Sequence, residues 1–307
     1  MKTAVSALPT RTSVAPLLVP ALLACYVIWG STYLAIRFAL QGFPPFFQMA
    51  SRFLVAGGLL IGWVLWRDGV AGLPTRRQWL HALVIGGLML GGGMGLIAQA
   101  EVHISSGLIA TFVAVVPMMV SAWGLLFGKR PTGLELAGMG VGLIGVIMLA
   151  HGSGVAAKPE GVALVAASTA CWSLGSVLST NKFPLAPGVA GFASEMLCGG
   201  VLLMALAVAT REQPPAWPLM PVPTLAWLYL VVFGSIVAFC AYMYLLAHAS
   251  AAVATSYAFV NPVIALLLGV AIGAERVTPW EWTATGVVLA GVVLIFLGKR
   301  AVGRGKT

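Results

Sequence analysis

The stretch SAAVATSYAFVNPVIALLLGVAIG, Ser250–Gly273, decides how the chain is read. It is long and apolar enough to cross a bilayer as a helix. Yet Thr255, Ser256, Tyr257 and Asn261 sit along it, and Pro262 falls in its middle. A proline inside a helix removes one backbone donor and crowds the carbonyl four residues back, here that of Ala258. Hydrocarbon cannot satisfy the freed carbonyl, so one side of this helix must face protein or water. The same design stands earlier as SSGLIATFVAVVPMMVSAWGLLFG, Ser105–Gly128. At a constant offset of 145, Ser105 matches Ser250, Thr111 matches Ser256, Phe112 matches Tyr257, Pro117 matches Pro262, Gly124 matches Gly269 and Gly128 matches Gly273.

Composition sets the medium. The 307 residues are 60% hydrophobic and 8% charged, with a mean hydropathy of +1.00, whereas a soluble domain carries roughly 25% charged residues. The chain is therefore expected to be a polytopic membrane protein with the lipid bilayer as its surroundings. Its net charge of +9 lies in short loops between apolar runs, not in a clustered patch or basic helix, so nucleic acid is not an expected partner. Cys25, Cys171, Cys198 and Cys240 lie inside apolar segments, form no CxxC, and suit small core residues. His81, His103, His151 and His248 are scattered over span ends. Neither metal-ligand spacing, nor a Ser/His/Asp set, nor a Walker motif is found, so no metal, cofactor or ATP-driven step is expected.

Ten spans fit, with approximate cores at 16–40, 45–66, 78–100, 104–127, 132–150, 161–181, 188–209, 224–247, 253–272 and 280–298. The first apolar run, from about Val14 to Leu40, far exceeds the ~7–15 residues of a signal-peptide core and reads as a retained span. With the N-terminus in the cytoplasm, twelve Lys and Arg fall on that side and three on the other, while Arg37 and Arg52 lie within spans. Both termini are expected inside: a cytoplasmic tail 1–15, a first five-helix repeat 16–150, an external linker 151–160, a second repeat 161–298 and a basic cytoplasmic tail 299–307.

The halves match beyond the opening pair. At offset 143, Trp29 meets Trp172, Ser51 meets Ser194, Leu54 meets Leu197 and Gly57 meets Gly200. Trp79 and Leu80 match Trp227 and Leu228 at 148, and Glu135 and Gly145 match Glu281 and Gly291 at 146. Five spans per repeat is an odd number, so the second half enters the membrane upside down. The expected fold is all-α and integral to the membrane, with ten transmembrane helices in two inverted five-helix repeats. Inverted repeats with interrupted helices are a transporter signature, with the site between the halves.

Candidate cavity residues follow. Trp29, Tyr33 and Arg37 recur at i, i+4, i+8 on one face of the first span, and Trp172, Ser176 and Thr180 repeat that spacing in the sixth. Ser31, Thr32, Ser173 and Ser179 either line the cavity or pack helices. Tyr257 and Asn261 share a face one turn apart, and Asn261 either holds a substrate group or re-satisfies backbone freed by Pro262. Pro117 and Pro262 are either hinges or static kinks. Gln99, Tyr242 and Tyr244 are further lining candidates, and Tyr244 alternatively marks the interface. Six glycines between Gly86 and Gly95 make the third span thin, and Gly138 and Gly142 form a GxxxG in the fifth.

Charges within the bilayer mark function by default. Arg37 either snorkels to the interface or acts in transport. Arg52 and Glu195 occupy equivalent repeat positions. Each lies ~10 Å deep from opposite faces at ~1.5 Å per residue, too far apart in height for a direct pair. Arg52 is expected either to attract a substrate carboxylate or to meet Glu101. Glu195 is either a proton site or a structural acceptor near Lys182 or a helix end. A membrane-embedded enzyme and a passive channel are the rival readings, and the enzyme would need acid–base or metal groups converging at one depth.

The segments YVIWGSTYLAIRF (26–38), ASRFLVAGGLL (50–60), ACWSLGSVLS (170–179), FGSIVAFCAYMYLL (233–246) and ATSYAFVNPVIALLLG (254–269) resemble the drug/metabolite transporter superfamily and, within it, the EamA family and its YedA-type inner-membrane exporters. The resemblance runs from about residue 16 to 298. It implies ten helices in two inverted repeats, and a cavity walled mainly by spans 1, 3, 4, 6, 8 and 9 with spans 5 and 10 peripheral. It also implies export of small organic solutes (amino acids, related metabolites or drugs) from a bacterial-type inner membrane, driven by proton exchange or the substrate gradient. It puts Trp29, Tyr33, Tyr257, Asn261 and Pro262 at the cavity. The family's acidic residue after the fourth helix of each repeat is kept as Glu275, but Lys129–Arg130 replaces it in the first half. No transport role is expected for that position.

Overall fold

The computed structural model describes residues 17–128, 131–152, 158–248 and 256–304. The tail 1–15, the Lys129–Arg130 pair, the middle of the linker, the last three residues and the Ser250–Thr255 start of the opening stretch lie outside them. Among the described residues the fold is helical throughout. Seven helices are long and apolar enough to cross a membrane: α1 (Leu18–Ala39), α2 (Pro45–Asp68), α3 (Arg76–Glu101), α4 (Ser106–Phe127), α6 (Pro159–Asn181), α7 (Val189–Ala209) and α8 (Pro221–Leu245). Shorter apolar stretches, Gly133–Leu149, Val260–Ala271 and Pro279–Ile295, lie within α5 (Gly133–Gly152), α9 (Tyr257–Ala271) and α10 (Pro279–Arg304). Large side chains such as Leu23, Val27, Leu59 and Leu267 are exposed along these helices, as lipid-facing surfaces require.

The matched positions turn out to be contact positions. In α5 against α10, a Cβ on Gly291 would lie 2.7 Å from the Gly138 carbonyl oxygen, and one on Gly145 would lie 3.1 Å from that of Ala284. These contacts are reciprocal at the repeat offset of 146, and they pair rising numbers with falling ones, so the two equivalent helices run antiparallel. Helices α2 and α7 do the same at offset 143. A Cβ on Gly57 would meet Leu197 Cγ at 3.0 Å, and one on Gly200 would meet Leu54 Cγ at 2.9 Å. Glycine is required at such crossings because backbones approach closer than a side chain allows.

Glu135 and Glu281 match for a local reason. The Thr132 and Thr278 amides each donate to the carboxylate three residues on at 2.7 Å, and the glutamate amides donate back to the threonine hydroxyls at 3.2 and 3.3 Å. Both are capping boxes that start α5 and α10.

The glycine-rich third span is not merely thin. Residues Gly87–Met94 of α3 form a π-helical segment, and so do residues Leu230–Val237 of α8. The proline pair is unequal. Helix α4 is interrupted at Ala114–Val115, just before Pro117, whereas Pro262 lies inside an unbroken α9. Among the described residues, the interruption that the opening stretch suggested for both copies is seen in the first. The glycine of the GxxxG pair does contribute to packing, since Gly142 backs onto Gly291.

Candidate substrate cavity

A cavity of about 760 Å³ sits at the centre of the bundle. Trp29, Thr32 and Tyr33 reach it from α1, Trp172 and Ser176 from α6, Tyr242 from α8, and Tyr257, Asn261 and Pro262 from α9. Helix α4 contributes Val113, Val116 and Pro117, so one wall is apolar where its repeat-equivalent wall carries Tyr257 and Asn261. The wall extends beyond the six spans the resemblance implied. Arg52 and Phe53 of α2, Phe192 and Glu195 of α7, and Val292 and Ile295 of α10 also line it.

The aromatic residues form one cluster. The Trp29 ring lies 4.7 Å from Tyr257, 5.3 Å from Tyr242 and 5.6 Å from Phe239, and Phe239 lies 5.2 Å from Phe192. Edge-to-face arrangements at these distances fix ring orientation. Trp29 Nε1 donates to the Gly234 carbonyl at 3.4 Å, inside the π segment of α8. Across the cavity Trp172 packs on Gly93, and Ser168 Oγ donates to the Gly93 carbonyl at 2.7 Å, inside the π segment of α3. The π segments therefore seat the two repeat-related tryptophans.

Many hydroxyls are already committed. Ser176 donates to the Trp172 carbonyl at 2.8 Å, Thr32 to Trp29 at 2.7 Å, Thr180 to Val177 at 3.0 Å and Ser179 to Ser176 at 2.9 Å. Ser173 accepts from Trp123 Nε1 at 3.0 Å, and Ser31 lies 2.7 Å from the Tyr229 hydroxyl. Tyr244 is off the cavity and stacks on His248 at 4.1 Å. Gln99 is also off it, donating to Glu212 at 3.4 Å.

Asn261 bears on both of its readings. With its amide nitrogen turned toward them, it donates to the carbonyls of Tyr257 at 3.1 Å and Tyr26 at 3.3 Å, an orientation set by the hydrogen-bond network. These acceptors are not the Ala258 carbonyl that Pro262 frees; the Tyr26 contact ties α9 to α1, where Gly30 packs on Ile264. Asn261→Ala is expected to lower stability by about 1–2 kcal/mol while leaving solute KM unchanged. Thermal unfolding in detergent and counterflow kinetics check this, and a raised KM at unchanged stability would assign Asn261 to the solute instead.

Arg52 and Glu195 are 3% and 4% exposed, and both line the cavity. Arg52 Nε donates to Ser235 Oγ at 3.0 Å and its guanidinium lies over the Phe53 ring. The expected meeting with Glu101 is not made as a hydrogen-bonded pair, because Ser235 takes that guanidinium edge and neither Glu101 oxygen has a hydrogen-bond partner among the described residues. Lys182 lies over Phe183, not beside Glu195. Among the described residues no hydrogen bond or ion pair engages the Glu195 carboxylate.

Arg37 leaves the cavity stripe. Its guanidinium pairs with Glu275 at 3.1 Å. Glu275 also accepts from Ser106 N at 3.0 Å, Ser106 Oγ at 2.7 Å and Gly107 N at 3.2 Å, capping α4. Glu212, which follows α7, caps α2 through Phe46 N at 3.1 Å and Phe47 N at 2.8 Å. Sequence reasoning missed both caps, because a carboxylate serving the start of a distant helix leaves no local pattern. Phe192 was missed too, although its place three residues before Glu195 puts both on one helix face.

An apolar helical bundle closing on one central cavity is the architecture of a membrane transporter. The chain belongs to the EamA-like transporter family, which matches residues 17–150 and 159–297. It is 42% identical over 91% of its length to the Escherichia coli "Uncharacterized inner membrane transporter YedA", covering 90% of that protein. It is 25% identical over 92% of its length to the "Probable terminal-alkyne amino-acid exporter" of Streptantibioticus cattleyicolor, covering 94% of that protein. A crystal structure 23% identical to it, which bears on the fold alone, aligns with a TM-score of 0.64 over 92% of this chain and 98% of the other.

Proposed function

We propose that this protein is a secondary transporter that exports small organic solutes by alternating access. Its ten helices form two inverted repeats, 16–150 and 161–298, in a bacterial-type inner membrane with both termini in the cytoplasm. The observation that carries this reading is the cavity itself. Both halves wall it, and the repeat-equivalent Arg52 and Glu195 bring opposite charges to it. The antiparallel crossings of equivalent helices support the inversion. A buried guanidinium and a buried carboxyl in one chamber suit a solute whose own carboxylate and ammonium would pair with them. The aromatic cluster beside Trp29 suits an apolar body between them. The name of the Streptantibioticus relative, an amino-acid exporter, agrees with solutes of that kind.

Purified protein in liposomes, loaded with unlabelled amino acids and offered the labelled ones, is expected to show saturable counterflow. Flux without saturation or exchange indicates a pore, and a new chemical product without flux indicates an enzyme. Either result ends this reading.

A further inference from the structure

Buried polar atoms are nearly always hydrogen-bonded, so exceptions carry information. Among the described residues, the buried side-chain atoms without a hydrogen-bond partner belong to Gln48, Glu101, His103 and Ser105. All four lie where α2 begins, α3 ends and α4 begins, which is the outer end under the proposed topology. Gln48 is fully buried and Glu101 is 6% exposed. Burial without a donor makes the charge on a carboxylate costly, and Glu101 also stands at the C-terminal end of α3, where the helix dipole opposes an anion.

Arg37 of α1, Arg52 of α2 and Glu275 after α9 lie near enough for their charges to act on Glu101, and Glu101 acts in turn on the Tyr33 hydroxyl of α1. His103, two residues on, lies 3.9 Å from Glu160 at the start of α6. Arg37 is already paired with Glu275. That leaves Arg52 and Glu101 as the opposite charges of the cluster without an ion-pair partner among the described residues, and Glu101 is the acid whose field acts on Arg52. Arg52 and Tyr33 line the cavity, whereas Glu101 does not. Glu101 therefore sits between the cavity wall and the outer end of the bundle.

We infer that Glu101, together with the unpartnered amide of Gln48, forms a proton-exchange site at the outer end, coupled to the solute cavity through Arg52. This deepens the transporter reading and rests on it. A proton bound at Glu101 removes the negative charge that balances Arg52, and the change is felt at the cavity wall without any bond being made or broken in the solute. Glu195, within the cavity, is left to the solute.

The test compares wild type, Glu101→Gln and Glu195→Gln in proteoliposomes, with the amino acids as probes. Glu101→Gln, which mimics the protonated carboxyl, is expected to keep saturable counterflow, which shows that it is folded, and to lose uptake driven by an imposed pH gradient. Infrared difference spectra between mildly alkaline and mildly acid buffer, taken without solute, are expected to lose a carboxylic-acid band in Glu101→Gln and to keep it in Glu195→Gln. Retained pH-driven uptake in Glu101→Gln overturns the inference, as does the band disappearing in Glu195→Gln alone. If wild type shows no counterflow, the transporter reading fails, and the infrared band alone then decides whether Glu101 exchanges protons.

Discussion

Glu275→Ala is expected to lower the thermal stability of the protein more than any substitution in the cavity wall. Glu275 is 8% exposed, accepts three hydrogen bonds from Ser106 and Gly107, and pairs with Arg37. One carboxylate thus joins α1, the start of α4 and the end of α9. Hydrogen bonds to charged groups contribute about 1.5–3 kcal/mol each. Removing one partner from a buried charged network costs about 3–5 kcal/mol, because the others are left without a partner. Arg37 is partly exposed and recovers some solvation, so the cost comes mainly from the two amides and the hydroxyl at the start of α4. Thermal unfolding in detergent, followed by loss of monodispersity, measures it. Glu275→Gln keeps one acceptor oxygen and is expected to fall between wild type and alanine. An alanine variant as stable as wild type would show that the α4 amides find other acceptors, and the clamp would lose its importance.

Glu275 and Glu212 also give the bundle unequal ends. Carboxylates that follow α7 and α9 cap α2 and α4 at one end. The residue equivalent to Glu275 in the first half is Arg130, which lies outside the described residues, and the residue equivalent to Glu212 is Gly69. A glycine has no side-chain acceptor to offer a distant helix, so among the described residues no side chain caps the start of α7 as Glu212 caps α2.

The repeat was legible because the same geometric demand occurs twice. Gly57 and Gly200, with Leu54 and Leu197, match in sequence because they meet across a two-fold-like crossing. Gly145 and Gly291 match because no side chain fits either place. Glu135 and Glu281 match because each closes a capping box. The cavity residues Trp29, Tyr33, Trp172, Tyr257 and Asn261 were legible as polar or aromatic groups in apolar helices, where a cost must be offset. The π segments were not legible. Their signature is backbone hydrogen-bond spacing, and the glycines of α3 have no counterpart in LVVFGSIV of α8 beyond Gly234. The partner of Arg37 was not legible for a related reason. Helical periodicity puts it on the face of Trp29 and Tyr33, but a long side chain at a helix end goes to the nearest carboxylate, and that comes from a loop more than two hundred residues away.

Arg52 and Glu195 are expected to set which solutes the cavity accepts, each acting on one end of the solute. Counterflow of labelled phenylalanine, competed by phenylalanine, by phenethylamine without the carboxylate and by phenylpropionate without the ammonium, separates the two roles. Loss of a hydrogen bond to a charged group costs about 1.5–3 kcal/mol, which corresponds to about a 10- to 100-fold weaker competitor. Glu195→Gln is therefore expected to weaken phenylalanine and phenethylamine by that factor and to leave phenylpropionate unchanged. Arg52→Met is expected to weaken phenylalanine and phenylpropionate and to spare phenethylamine. Methionine keeps much of the arginine stem against Phe53, so what is lost is chiefly the charge and the bond to Ser235. Two competition profiles that both match wild type would mean that these charges hold the halves together rather than the solute. The Arg52 result also bears on Glu101, the acid whose field acts on it. With the guanidinium gone, a proton at Glu101 has no charge through which to act on the cavity, so Arg52→Met is expected to lose pH-driven uptake along with its carboxylate preference.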